Sequence, residues 1–458
     1  MRGTVIPSSL SRHNWLFLAL AVFFLALSVS YYRKVADDPQ GFRSAIYRWQ
    51  NQLRDLADGA NIWEKHHYPN PPIMALILMP LAKLPHHVGA MVWFYLKCAI
   101  AMLALHWIFR VLERDGTPVP FLGKVLVLVL GLRLLAGDLT HGNVNLFIFF
   151  VVVAFLCVLL LRHDFKAGML LALAIACKLT PALFLPYLVW KRAWCALTGA
   201  SVGLVLFFFV VPGLFLGMSH NVDCLRSWAD TMVRPYLMDG KVTTEYANQS
   251  LPGLVHRLAS QSPSFVVETY TEVVPVEYHN LLSMERKTLS WIIRACMLVF
   301  AGLVMWSCRR PITTRTGWLL LAEASVVAIG MLLFSERTWK HHCVTMLIPF
   351  AVLSYVLFAC GPGVNLRWHI IVTLTAVFLL MTATSSGLFP GHDRLGRLAQ
   401  VYGAYVWANI LLIAALIAVL RHDWVQDAAV KRQYAVLSLR AMTEPTEADA
   451  HSQLISIR

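Results

Sequence analysis

Along the chain, apolar runs long enough to cross a bilayer alternate with polar turns. They fall at about 14–32, 88–110, 120–136, 144–162, 166–190, 195–217, 287–308, 316–334, 341–360, 367–387 and 402–421. Most come close to the ~20 residues a helix needs to span ~30 Å of hydrocarbon. Two stretches depart from the rule. PPIMALILMPLAKLP (71–85) is short and carries Pro80 and Pro85, so it is expected to dip into the membrane without crossing it. The 166–190 run is interrupted by Lys178 and Pro181, which predicts two short helices meeting within the membrane. The pattern reads as an all-α polytopic membrane protein of about 12 transmembrane helices, in a range of about 11–13.

Basic residues orient the runs. The turns carrying Arg110/Arg114, Arg162/Lys166, Lys191/Arg192 and Arg309/Arg310/Arg315 are assigned to the cytoplasm together with both termini. Segments 33–72, 137–143, 218–286, 335–340 and 388–401 then share the extracytoplasmic face. They hold nearly every unusual polar residue of the chain. The membrane domain covers 1–421, and 422–458 reads as a polar cytoplasmic tail, partly disordered.

Composition excludes a soluble globule: of 458 residues, 58% are hydrophobic and 14% charged, and the mean hydropathy is +0.61. The formal net charge of +14 does not point to nucleic acid, because the basic residues sit in short pairs between apolar runs. The nine cysteines form no CxxC and no metal-ligand spacing. Arg2 and Arg12 precede the first run and no small-residue cleavage site follows, so that run is read as a retained span. No GxGxxG, Walker A or HExxH motif occurs, which argues against nucleotide-driven chemistry.

Candidate chemistry lies in the outward segments. The first loop, about forty residues long, carries Asp37, Asp38, Asp55 and Asp58 among Arg43, Arg48 and several aromatics. GDLTHGNVNLF (137–147) brings Asp138, His141, Asn143 and Asn145 to the entrance of a hydrophobic helix. There amides and free backbone N–H groups suit sugar hydroxyls or a phosphate, although Asn143 also fits a plain helix cap. Lys178 interrupts an apolar run, which is costly unless the ammonium is paired, faces a polar cavity or snorkels to an interface. It is a candidate ligand for an anionic group at membrane depth. SERTWKHH (335–342) offers Arg337, Lys340, His341 and His342 beside Trp339, a composition suited to phosphate. Asn248 precedes a short amphipathic helix in the long loop 218–286. Glu323, inside the 316–334 run, is either functional or paired with a neighbouring helix.

The ordered set YPNPPIMALILMPLAKLP (68–85), HGNVNLFIFF (141–150), ACKLTPALFLPYLVWKRAW (176–194), NQSLPGLVHRL (248–258) and SERTWKHHCVTMLIPF (335–350) resembles glycosyltransferase family 87. That group includes polyprenyl-phosphate-mannose-dependent mannosyltransferases of bacterial envelopes. The resemblance implies a membrane fold of the GT-C kind in a bacterial plasma membrane, with its active site on the extracytoplasmic face. It further implies a polyprenyl phosphate sugar as donor, a lipid or glycan acceptor, and an aspartate of the first outward loop as general base.

On that footing the donor phosphate is expected on some of Arg43, Arg48, Lys178, Arg337, Lys340, His341 and His342. Sugar or acceptor is expected on His141, Asn143, Asn145 and Asn248. The base is Asp38 or Asp138, with Asp37, Asp55 and Asp58 in reserve. Inversion by single displacement needs neither metal nor cofactor. Membrane lipids are the remaining expected partner. The alternative is a transporter or flippase of lipid-linked sugars. It fits less well, because the polar groups crowd to one face and the break at Lys178 has no counterpart in the second half.

Overall fold

The computed structural model describes residues 12–38, 43–114, 116–268, 273–385 and 393–422, and most of them are helical. Seven helical segments among these residues are long and apolar enough to cross a membrane. They are α1 (Arg12–Ala36), α5 (His86–Glu113), Trp194–Leu216, α15 (Arg286–Ser307), Lys340–Cys360, α18 (Val364–Ala383) and α20 (Ala404–Arg421). Five others are shorter or more polar: α6 (Phe121–His141), α7 (Asn145–Leu160), α8 (Asp164–Cys177), Thr180–Trp190 and α16 (Gly317–Leu333). Together they are the twelve segments the hydropathy pattern calls for. The chain is a multi-pass membrane protein.

Both irregular stretches are helical only in short pieces, although Pro80 is accommodated inside α4 (Pro72–Ala82) rather than ending it. α4 has 11 residues, about 16 Å of helix. It packs against α5 and against α2 (Ala45–Ala57), an amphipathic helix followed by the short α3 (Ile62–His66). α8 stops at Cys177. Lys178 is extended, and a 3-10 turn over Thr180–Leu183 restarts the chain as α9 (Phe184–Trp190). The Trp194–Leu216 segment runs as α10 (Trp194–Val205), a π turn and α11 (Val211–Leu216).

Side-chain contacts sort the turns into two groups. In one group Arg162 donates to the Thr313 carbonyl, Arg315 pairs with Asp164, Lys191 reaches the Cys308 and Arg310 carbonyls, and Thr117 reaches Ala359. In the other, Lys34 donates to the Thr140 carbonyl, Asn61 to Ser227, Gln249 to the Gln400 carbonyl and Lys340 to the Thr384 carbonyl. The basic turns form the first group and the polar segments the second, as alternating crossings require. Glu323 belongs with the basic turns: it accepts from Lys191 and from the Tyr187 hydroxyl, so it is a paired carboxylate.

The outward segments contain more regular structure than their polarity suggests. Residues 137–141 continue α6, because Asp138 finds Lys97 and the Thr140 hydroxyl returns to the Ala136 carbonyl. The turn proper is Gly142–Val144, and Gly142 takes the left-handed conformation (φ +73°) that ends the helix. Segment 218–286 folds into α12 (Met218–Trp228), α13 (Arg234–Leu237), α14 (Leu251–Ala259) and a hairpin of β1 (Pro263–Glu268) with β2 (Val273–Tyr278). The hairpin is a small β element in an otherwise helical chain. α17 (Leu347–Tyr355) lies within the Lys340–Cys360 segment, and α19 (Asp393–Val401) precedes α20. The tail from 423 onward lies outside the described residues.

Candidate active site

The HGN turn rests on a buried ion pair. Lys97, in the middle of α5, donates to the Asp138 carboxylate (3.1 Å), the Asp138 carbonyl (2.6 Å) and the Asn143 carbonyl (3.1 Å). Its ammonium thus meets three acceptors, and both partners are fully buried. The Asp138 carboxylate also faces the start of α7, where Oδ2 accepts from the Leu146 backbone N–H (3.3 Å) and Oδ1 from the Asn145 amide (3.1 Å). A carboxylate at a helix N-terminus meets unpaired N–H groups and the positive end of the dipole. Asp138 therefore sits beneath the surface with its oxygens occupied.

The Asn145 side-chain oxygen accepts from Lys178 Nζ. Lys178 and Asn145 line a narrow cleft with Thr180, Ser335, Thr338, His342 and Thr345. The break at Lys178-Leu179-Thr180-Pro181 supplies the ammonium, and the start of α7 supplies the amide that steers it.

The KHH segment closes on the HGN turn. His141 and His341 stack with ring centroids 3.8 Å apart, and the Asn143 amide meets His341 Nε2 at 3.3 Å. Trp339 stands edge-on to both rings. His141 Nδ1, Trp339 Nε1 and Thr345 Oγ1 are buried without a protein partner, which is unusual for polar atoms unless a ligand or water meets them.

Asp38 lies at the edge of this cluster, nearly buried at 8% exposure, and its Oδ2 accepts from the Arg43 backbone N–H (2.6 Å). Lys34 and Arg48 lie within electrostatic reach of it, and the same two cations act on His141. Lys34 ties the end of α1 to α6 through the Thr140 carbonyl, and the Tyr31 hydroxyl bonds Ser44 across the base of the loop. A Cβ on Gly142 would lie 2.6 Å from the Ser44 hydroxyl, so a glycine there lets loop and turn approach closely.

The fold thus brings together Asp38, Arg43, Arg48, His141, Asn143, Asn145, Lys178, His341 and His342, with Asp138 below them. The remaining candidates sit apart from the cleft. Asn248 is fully buried: its amide donates to the Thr243 and Glu336 carbonyls, and its oxygen accepts from the Thr338 and Ser250 N–H groups. All of its capacity is used within the protein, half of it on the Glu336–Thr338 turn and half on Thr243 and Ser250. Arg337 bonds Thr243 and lies over Trp339. Lys340 turns toward the Thr384 carbonyl at the end of α18. Burial raises the Glu336 carboxyl above the usual range.

Among the other loop acids, Asp55 pairs outside the cluster with Lys65 and His66, and the Lys65 hydrogen bond first and His66 next hold its carboxyl low. Asp37 and Asp58 are exposed. Sequence reasoning passed over Lys97, although a lysine inside the 88–110 run carries the same signal that singles out Lys178.

The model of glycosyltransferase family 87 matches residues 68–335, more than half of the chain. The chain belongs to glycosyltransferase family 87. The match contains Lys97, the HGN turn, Lys178 and Asn248, while Asp38 and the KHH segment flank it. Over 300 residues (63% of the chain) it is 30% identical to a polyprenol-phosphate-mannose-dependent alpha-(1-2)-phosphatidylinositol mannoside mannosyltransferase of Mycolicibacterium smegmatis. Over 244 residues (52%) it is 27% identical to an alpha-(1->3)-arabinofuranosyltransferase of Corynebacterium glutamicum. These alignments span 58% and 53% of the two relatives.

Proposed function

We propose that this family 87 enzyme transfers a hexose, mannose or a close analogue, from a polyprenyl phosphate sugar to a lipid or glycan acceptor at the extracytoplasmic face of the plasma membrane. The observation that carries the reading is the convergence of Asp38 with the Lys34, Arg48, His141 and His341 cluster among the polar turns. Lys178 and His342, in the adjoining cleft, take the donor phosphate. The relative from Mycolicibacterium smegmatis, whose name specifies a polyprenol phosphate mannose donor, supports that choice.

In the reaction, Asp38 accepts the proton of the acceptor hydroxyl as its oxygen attacks the anomeric carbon. The bond from that carbon to the phosphate oxygen breaks, and polyprenyl phosphate leaves with the electron pair. The cations match the charge that gathers on the phosphate, which makes it a competent leaving group. One displacement inverts the centre, so a β-linked donor yields an α product.

The test is incubation of the purified enzyme and a membrane lipid extract with radiolabelled polyprenyl phosphate mannose or the matching nucleotide sugar. The reading expects an α-linked glycolipid from the polyprenyl donor alone. Transfer from the nucleotide sugar alone, or a β product from a β donor, overturns it.

A further inference from the structure

At the other end of the bundle a groove of about 700 Å³ opens between α5 and α7. That volume lies in the ~300–1,000 Å³ range of small-molecule sites. Its walls include Trp107, Ala154, Val158 and Leu161, and Trp107 is braced by stacking on Phe150 (5.2 Å between centroids). Its mouth is polar, with Arg110, Glu113 and Arg114. Glu113 is already matched: it pairs with Lys124 at 2.8 Å and accepts from the Val119 N–H. Arg110 and Arg114, one helical turn apart and both exposed, form no side-chain hydrogen bond or ion pair among the described residues. The groove therefore presents an apolar slot below two guanidiniums that no described side chain pairs.

We propose that this groove binds an anionic glycerophospholipid of the cytoplasmic leaflet. Two arguments select that occupant. The groove lies among the basic turns, the end that faces the cytoplasm, where headgroup phosphates of that leaflet lie. Guanidinium groups hold phosphate oxygens in pairs of hydrogen bonds, and basic pockets between membrane helices on this side suit anionic headgroups. An acyl chain lies against Trp107 and Leu161 while the phosphate meets Arg110 and Arg114. The donor's phosphate belongs to the opposite face, so the two lipids occupy different sites.

Native mass spectrometry of the full chain in mild detergent, titrated with phosphatidylglycerol or phosphatidylcholine, tests this. The expected result is one retained phosphatidylglycerol in clear preference to phosphatidylcholine. Arg110→Gln with Arg114→Gln should weaken that retention about thirtyfold, the effect of two juxtamembrane basic contacts. Ala154→Trp fills the slot and should abolish retention with both arginines intact. Lys166→Gln, an exposed basic residue at the same end outside the groove, should leave it unchanged. If the double variant fails to fold, Arg114→Gln alone should weaken retention about fivefold. Equal retention of phosphatidylcholine, equal retention by the arginine variants, or equal loss in Lys166→Gln overturns the proposal. So does displacement of phosphatidylglycerol by an equimolar polyprenyl phosphate.

Discussion

His141 and His341 stack face to face, with planes 15° from parallel, although one ends α6 and the other opens the span near the far end of the chain. Their contact makes two polar turns into one surface. Through Asn143 on one side and Trp339 on the other, it joins the HGN turn to the segment whose His342 lines the Lys178 cleft.

Beneath that surface, the Lys97–Asp138 pair holds the turn through the Asp138 and Asn143 carbonyls. Lys97→Met should lower stability by about 3–5 kcal/mol, because it leaves a carboxylate buried without its cation. Lys97→Met with Asp138→Leu should recover more than half of that loss, since neither charge then remains uncompensated. Thermal unfolding of the purified variants checks this. A double variant as unstable as the sum of the two singles would show that the charges do not act as a pair.

Lys178 is held toward the cleft by Asn145, so its removal should act on the donor more than on the fold. Lys178→Met is expected to raise the donor KM at least tenfold with unfolding temperature and acceptor KM little changed. Lys178→Arg, which keeps the charge, should recover part of the loss. An unaltered donor KM in Lys178→Met would return this lysine to a purely structural role.

Cys195 offers a native test of topology: it is exposed and lies at the start of α10, just after the Lys191/Arg192 turn. A membrane-impermeant maleimide should leave Cys195 unmodified in intact cells and label it after permeabilisation. Lys65→Cys, in the first polar loop, should be labelled in intact cells. Peptide mapping reads both, and the reverse pattern inverts the orientation.

The spans were legible in the sequence because each must be apolar over a fixed length, and even the two departures were marked by Pro85, which caps α5 just past the end of α4, and by Pro181. Side-chain roles were less so, because they depend on what arrives from elsewhere in the chain. Asn248 reads as a free amide until the Glu336–Thr338 turn, distant in sequence, takes two of its hydrogen bonds and the nearby Thr243 and Ser250 take the others. Asp138 reads as a loop acid until Lys97 carries it into the interior. The β1–β2 hairpin escaped notice because a short alternating stretch inside a polar segment gives little signal beside the membrane runs.

Turnover of Asp38→Asn tests the proposed chemistry most directly. Asparagine keeps the size of the side chain and its bond from the Arg43 N–H, and removes only the basicity. With polyprenyl phosphate mannose and a lipid acceptor, kcat should fall about a hundredfold to ten-thousandfold, the usual contribution of a positioned base, while donor KM and unfolding temperature hold. Near-normal turnover in Asp38→Asn would contradict the assignment. If Asp37→Asn, Asp55→Asn, Asp58→Asn and Asp138→Asn were active as well, aspartate base catalysis would fail altogether.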